Sequence, residues 1–281
     1  DFMRSIDHKL PSWITFAKLR VSAAQVGKDP APYNLYNVRK YQFEMGNRKP
    51  INNTIKLNAN LKPEIKTSYE VGVDMKFLDN RLGFDFTYYY NTTKNQAMLV
   101  DASSPWTQQW VNAGKINNTG VEFMLYGTPV KTRDFQFDIT ANLAHNRSTV
   151  KELADGVNRV YFAGDSNMPV KVGAVKGGKL GDIFANNLMQ RDAQGRVIIG
   201  DDGLPMAATG DGNLEQYLLD HPIGNIQPDL LMSITPTFTY KGISLTAMFD
   251  MKFGGDIVSV SEGMATSVGT SERTAYRGEY K

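Results

Sequence analysis

Gly173-Ala174-Val175-Lys176-Gly177-Gly178-Lys179-Leu180 comes within one position of a phosphate-binding loop. In such a loop backbone N–H groups cradle phosphate, a lysine reaches the terminal phosphates, and the next Ser or Thr holds Mg²⁺. Leu180 stands in that last place, and no buried strand and helix flank the segment, so it reads as a turn. His8, His145 and His221 are too scattered for a metal site or a nucleophilic triad. Neither His-Glu-x-x-His nor Gly-x-Ser-x-Gly occurs. With no Cys, a thiolate zinc site, an iron–sulfur cluster and a cysteine nucleophile are excluded. The expectation is no catalytic residue, no metal and no cofactor.

Asp201-Asp202-Gly203 and Asp211-Gly212-Asn213 gather hard oxygens that suit Ca²⁺, but the alternation of an EF-hand is missing, and Asx-Gly turns are the reading preferred. Trp106, Gln108, Gln109 and Trp110 set aromatic faces beside amides. Such a group stacks on and hydrogen-bonds to a sugar or a peptide, and these four are the candidate substrate-binding residues. Loop packing or interfacial anchoring is the plainer use of the same side chains. Asn52, Asn91, Asn117 and Asn146 each begin an Asn-x-Ser/Thr sequon, expected by chance in an Asn-rich chain.

The elements that must position these residues alternate with period two. In 67–78, Tyr69, Val71, Val73, Met75 and Phe77 take one face, and Ser68, Glu70, Gly72, Asp74 and Lys76 the other. After Asp79-Asn80-Arg81, Leu82, Phe84, Phe86, Tyr88 and Tyr90 alternate with Gly83, Asp85, Thr87 and Tyr89. Asp79-Asn80 is a hairpin signal. Val121, Phe123 and Leu125 oppose Glu122, Met124 and Tyr126. Past Pro129, Phe135, Phe137, Ile139, Ala141 and Leu143 oppose Gln136, Asp138, Thr140 and Asn142. Leu230, Met232, Ile234, Phe238 and Tyr240 precede a turn at Lys241-Gly242. Ile243, Leu245, Ala247, Phe249, Met251 and Phe253 follow it, against Ser244, Thr246, Met248, Asp250 and Lys252. Pro236 interrupts the third pair and removes a ladder bond. An earlier strand runs over 13–26, with a partner expected upstream of residue 1.

Connections near 79–81, 128–134 and 241–242 are short. Those at 27–66, 92–117 and 148–228 are long, well beyond the ~12–15 residues usual in compact domains. In an up-and-down meander all short turns fall at one end and all long loops at the other, the pattern of outer-membrane barrels. The apolar faces of the paired strands carry no Asp, Glu, Lys or Arg. Tyr88, Tyr89, Tyr90 and Tyr240 fit an interfacial girdle. The formal net charge of +2 argues for no nucleic-acid partner. No run approaches the roughly 20 apolar residues of a spanning helix. Alternation alone suits a soluble β-sandwich equally; the loop asymmetry favours an all-β, antiparallel, transmembrane barrel segment.

Several stretches resemble one family. Leu61-Lys62-Pro63-Glu64, Thr67-Ser68-Tyr69-Glu70-Val71-Gly72, Asn80-Arg81-Leu82, and Tyr88-Tyr89-Tyr90-Asn91-Thr92-Thr93-Lys94-Asn95-Gln96 are similar to the barrel of TonB-dependent outer-membrane transporters, best to the SusC/RagA branch. So are Phe16-Ala17-Lys18-Leu19-Arg20-Val21-Ser22, Asn112-Ala113-Gly114-Lys115-Ile116-Asn117-Asn118-Thr119-Gly120-Val121-Glu122, Ile223-Gly224-Asn225 with Pro228, and Asp250-Met251-Lys252-Phe253-Gly254-Gly255-Asp256-Ile257. The likeness spans about 12–260 in the family's order.

That resemblance implies a 22-stranded plugged barrel, of which about seven strands are here. Signal peptide, plug domain, TonB box and final strands have no counterpart in the sequence. Residues 1–281 therefore read as a partial barrel domain with two open edges, short periplasmic turns and long extracellular loops. The resemblance further implies a Gram-negative, Bacteroidota-like outer membrane and active import of glycans or peptides. The partners implied are a SusD-like lipoprotein, the TonB–ExbB–ExbD complex through regions outside this chain, outer-membrane lipid, and an oligosaccharide or peptide substrate. Glu70, Asp74, Lys76, Asp85, Glu122, Asp138, Asp250 and Lys252 would face the lumen. Asp192-Ala193-Gln194-Gly195-Arg196 resembles a recurring loop hairpin. A secreted soluble β-sandwich that binds carbohydrate, and a passive porin-like channel, are the competing expectations.

Overall fold

The computed structural model describes residues 11–275 except 33, 37–39, 52–53, 164–169 and 210–213. His8, Asn52 and the Asp211-Gly212-Asn213 cluster lie outside the described residues. The chain divides into two compact units, one of 1–157 with 228–254 and one of 158–227 with 255–281.

The first unit is built on one large sheet, antiparallel except for one short strand, Ile55–Lys56, that pairs parallel with the strand Gln108–Lys131. Its ribbons are β1 (Ile14–Lys28), β5 (Glu64–Phe77), β6 (Leu82–Asp101), β7 (Gln108–Lys131), β8 (Phe135–Leu153), β13 (Leu230–Tyr240) and the pair β14 (Ile243–Thr246) and β15 (Phe249–Phe253). They neighbour one another in that order, with β14 and β15 both on β13. Counting β14 and β15 as one interrupted strand, this is the expected meander of seven. Among the described residues the outer edges of β1 and of β14–β15 have no partner strand, so the sheet is not closed.

Register makes the two faces explicit, because directly paired residues share a face. One row reads Lys18, Asp74, Asp85, Met124, Asn142, Ser233, Asp250. The next reads Arg20, Gly72, Thr87, Glu122, Ala144, Leu231, Lys252. The opposite face carries Val21, Val71, Tyr88 and Val121 in one row and Leu19, Val73, Phe86, Phe123, Leu143 and Met232 in another. Near the short turns Trp13, Phe77, Phe84 and Phe123 stack ring to ring at 5.6–6.0 Å, and Phe137 stacks on Phe238 at 4.7 Å.

Three differences from the sequence reading have physical causes. The span 92–117 is mostly strand, since β6 and β7 run past their alternating apolar stretches and the ladder between them carries Thr, Asn and Gln along. Pro236 leaves β13 intact and breaks its neighbour instead: Ala247 N–H donates to Pro236 O at 3.2 Å, but no reciprocal donor exists, and β14 ends there. Tyr89 belongs to the polar face, opposite Gly120, so it is no part of a girdle with Tyr88 and Tyr90.

Within the connection from β1 to β5 lie a hairpin, β2 (Lys40–Glu44) and β3 (Asn47–Ile51), and a short strand, β4 (Ile55–Lys56). The second unit holds a four-stranded sheet of β9 (Arg159–Ala163), β10 (Val170–Val175), β11 (Asp182–Ala185) and β12 (Gly224–Asn225). Buried Val160, Ala174, Ile183 and Phe184 belong to it, and two short helices accompany it, α1 (Leu214–Asp220) and α2 (Val260–Val268).

Candidate functional site

The polar face of the large sheet collects Glu70, Asp74, Lys76, Asp85, Glu122, Asp138, Asp250 and Lys252, because each strand alternates and pairing carries the same face from strand to strand; Asp138 lies where β7 has an extra residue between Gly127 and Val130 and keeps its face through Thr237 of β13. Arg20 joins them in a way that alternation does not reveal. Its guanidinium grips both Asp85 oxygens, at 2.7 and 2.6 Å, and donates to Thr87 Oγ1 at 3.1 Å. β5 lies between the partners, and Arg20 crosses it at Gly72, where a Cβ would sit 2.7 Å from Nη2. Asp138 is held by Thr128 at 2.7 Å and by Gln136 at 3.0 and 2.8 Å. A groove of about 350 Å³ opens between Asp85, Glu122 and Asp250. Among the described residues no group of three or more His, Asp or Glu is placed to hold a metal ion.

Two glycines on this face receive aromatic rings. Tyr89 lies over Gly120 and Tyr126 over Gly83, so close that an added Cβ would sit 2.2 Å from Tyr89 Cζ and 2.4 Å from Tyr126 Cζ. The Tyr89 hydroxyl donates to Asn146 Oδ1 at 3.2 Å.

The four loop candidates are not one cluster. Gln108, Gln109 and Trp110 open β7 and are paired on both edges, to Leu99, Val100 and Asp101 of β6 and, for the glutamines, to Ile55 and Lys56 of β4. Gln108 and Gln109 alternate faces. Trp106 precedes the strand, its N–H bonded to Ser103 O.

The motifs of the second unit serve architecture. The glycine-rich 173–180 segment is the β10–β11 connection, with buried Gly173 and Ala174 on a strand but no helix after it. Asp182, 6% exposed, accepts from Lys179 N–H at 2.9 Å and Asn225 Nδ2 at 2.8 Å. Asn225 N–H in turn donates to Asp256 at 2.8 Å. Asp192 closes a tight turn, accepting from the Gln194 and Arg196 N–H groups and from Arg196 Nε at 2.7 Å. Those bonds, led by the Arg196 amide, hold its carboxyl below the usual carboxylate range. Asp202 makes the same kind of turn with Leu204 N–H.

Among the described residues the apolar face of the sheet is uncovered: Leu19 is 68% exposed, Val71 44%, Leu125 39% and Phe249 58%. A β-sandwich would bury that face, so the soluble alternative does not describe this sheet. Its charge-free band, from Phe77 to Tyr69 on β5 and from Leu82 to Tyr90 on β6, is about nine residues tall, which at the usual tilt matches a ~25 Å lipid-facing belt. Among the described residues no helix is long and apolar enough to cross a membrane. The fold is thus a segment of a transmembrane β-barrel, with short turns at one end and long connections at the other.

The chain belongs to the TonB dependent receptor-like β-barrel family, whose model matches residues 8–176. It is 27% identical over 234 residues to the TonB-dependent receptor SusC of Bacteroides thetaiotaomicron, covering 78% of this chain and 22% of that protein. It is 26% identical over 217 residues to TonB-dependent receptor P3 of Formosa agariphila, covering 72% and 22%. Its fold resembles a solved structure of the RagAB peptide importer in the closed-closed state, with TM-score 0.66, 20% identity, and 88% of this chain against 28% of that one covered. The chain therefore spans less than a third of the length of each of these three proteins.

Proposed function

We propose that this chain is a wall segment of a TonB-dependent importer in a bacterial outer membrane. The observation that carries the reading is the two-faced sheet. One face carries an apolar band, from Phe77 to Tyr69 on β5 and from Leu82 to Tyr90 on β6, that is free of charge and, among the described residues, uncovered. The other is lined by Arg20, Asp85, Glu122 and Asp250. The first suits lipid, and the second suits the water-filled or plugged interior of a barrel. In this role the charged residues of the polar face solvate the lumen and do no bond chemistry.

The long-connection end faces outward, and Trp106, Gln108, Gln109 and Trp110 are the substrate contacts offered there. A SusD-like surface lipoprotein is the partner at that end, and the TonB–ExbB–ExbD complex supplies energy through parts of the protein outside this chain. Kinship with the TonB-dependent receptor SusC supports TonB-dependent import, likeness to a peptide importer supports a peptide as cargo, and the SusC/RagA resemblance of the sequence keeps a glycan as the alternative.

The test uses the full-length protein. It is expected in the outer-membrane fraction, soluble only with detergent, and its deletion is expected to abolish uptake of a fluorescent oligosaccharide or oligopeptide that a protonophore also blocks. Full-length protein that is soluble and monomeric without detergent overturns the reading. Uptake that survives loss of TonB reduces it to a passive channel.

A further inference from the structure

Three adjacent strands carry an extra residue at one level. β6 has one between Thr93 and Gln96, where Asn95 takes a left-handed φ of 56°. β7 has one between Asn112 and Gly114, and β8 one between Val150 and Glu152. Below this level β6 pairs with β7 without interruption from the Leu82/Gly127 pair to the Thr93/Ile116 pair, flanked by β5 and β8. Above it the flanking strands stop. β5 reaches Ile65, opposite Lys94, and β8 ends at Leu153, opposite Gly114. Only a two-stranded ribbon continues, 97–101 against 108–112, with β4 beside its outer strand.

A bulge bends its strand and interrupts the ladder, and a ribbon of two strands resists bending far less than a wide sheet. A cavity of about 310 Å³, lined among others by Lys94, Asn95, Asn112, Lys115 and Glu152, leaves room at the break. Among the described residues two side-chain bonds span it: Asn112 Nδ2 donates to Asn95 O at 2.8 Å, and Glu64 Oε1 of β5 accepts from Ala97 N–H at 3.0 Å. Asn112 also ties segment 54–63 to the ribbon, its Nδ2 donating to Lys62 O at 2.9 Å and its Oδ1 accepting from Lys62 N–H at 2.8 Å.

We propose that residues 97–112, with segment 54–63 clasped to them, form a hinged arm that swings about this line of bulges. Asn112 is the positioning residue: beside the Glu64 bond it holds the arm to Asn95, and it holds segment 54–63 to the arm. The arm carries Trp106, Gln108, Gln109 and Trp110, so its swing presents or withdraws them. That the arm stands outside the membrane rests on the importer reading; the hinge itself does not.

The segment has no cysteine, so nitroxide pairs can be placed cleanly in the full-length receptor once any cysteines elsewhere are replaced. One pair, Ser103→Cys with Arg147→Cys, spans the hinge; a reference pair, Lys131→Cys with Arg147→Cys, lies below it. Double electron–electron resonance in detergent is expected to give a distance distribution about twice as wide across the hinge as in the reference pair. Asn112→Ala is expected to widen it further and leave the reference unchanged. A single narrow distribution across the hinge, unmoved by Asn112→Ala, overturns the proposal. Equal breadth in both pairs overturns it too, since the whole wall would then be mobile. Neither result bears on where the protein fractionates or what it imports.

Discussion

The guanidinium of Arg20 binds the carboxylate of Asp85 across a whole intervening strand, and the passage exists because the residue beneath it is Gly72. Both side chains are about a quarter to a third exposed, 32% and 26%, so the pair is worth about 1 kcal/mol once solvent screening is allowed for. Gly72→Val puts branched carbons where the guanidinium now lies, and Arg20 must leave Asp85. Urea unfolding of the full-length barrel should then show Gly72→Val and Asp85→Ala each destabilising, and the double variant losing clearly less than their sum.

Tyr89 on Gly120 and Tyr126 on Gly83 are close-packed joints between β6 and β7. Gly120→Ala forces the Tyr89 ring off the strand, at a cost of about 1–3 kcal/mol for overpacking. Tyr89→Ser in the same chain frees the space and should recover most of that loss. Heat-modifiable migration of the barrel reads both effects.

Charge on the apolar band separates lipid from any protein cover. Phe86→Lys places an ammonium in the middle of the band and is expected to cost about 2–4 kcal/mol, or to prevent outer-membrane assembly. Thr235→Lys, on the polar face opposite Thr140, should be nearly silent. Equal tolerance at both positions would mean that the band does not meet lipid.

The Asp192 turn should answer to acid only. Its carboxyl is held below the ordinary value of 3.8 in the folded turn, so it contributes stability that is fully present above that value and lost as pH falls through the lower folded one. Amide chemical shifts of Gln194 and Arg196 are expected to stay constant from neutral pH to the ordinary carboxylate range and move only below it. Asp192→Asn removes the response.

In the second unit, Asn225 ties Asp182 to the strand that Asp256 caps. Asn225→Ala leaves the buried Asp182 short of a donor, and about 1–3 kcal/mol of local stability should go with it. Limited proteolysis should then cut within 158–227 faster, while the barrel strands stay protected.

Much of this protein is readable in its residues alone. Alternation such as Tyr69, Val71, Val73, Met75, Phe77 assigns each strand and its two faces, because a period of two puts successive side chains on opposite sides whatever the partner. The turn signals at Asp79-Asn80 and Lys241-Gly242 give the meander, and the charge-free apolar band on one face points to lipid. Neighbour order, register and strand ends belong to the tertiary structure. Thr, Asn and Gln in 92–117 have no apolar stripe, so only pairing with neighbours makes them strand. That Arg20 meets Asp85, that Tyr89 rests on Gly120, and that three bulges fall at one level all depend on which residue lies opposite which. Those contacts join residues far apart in the chain, and a local pattern carries no information about them.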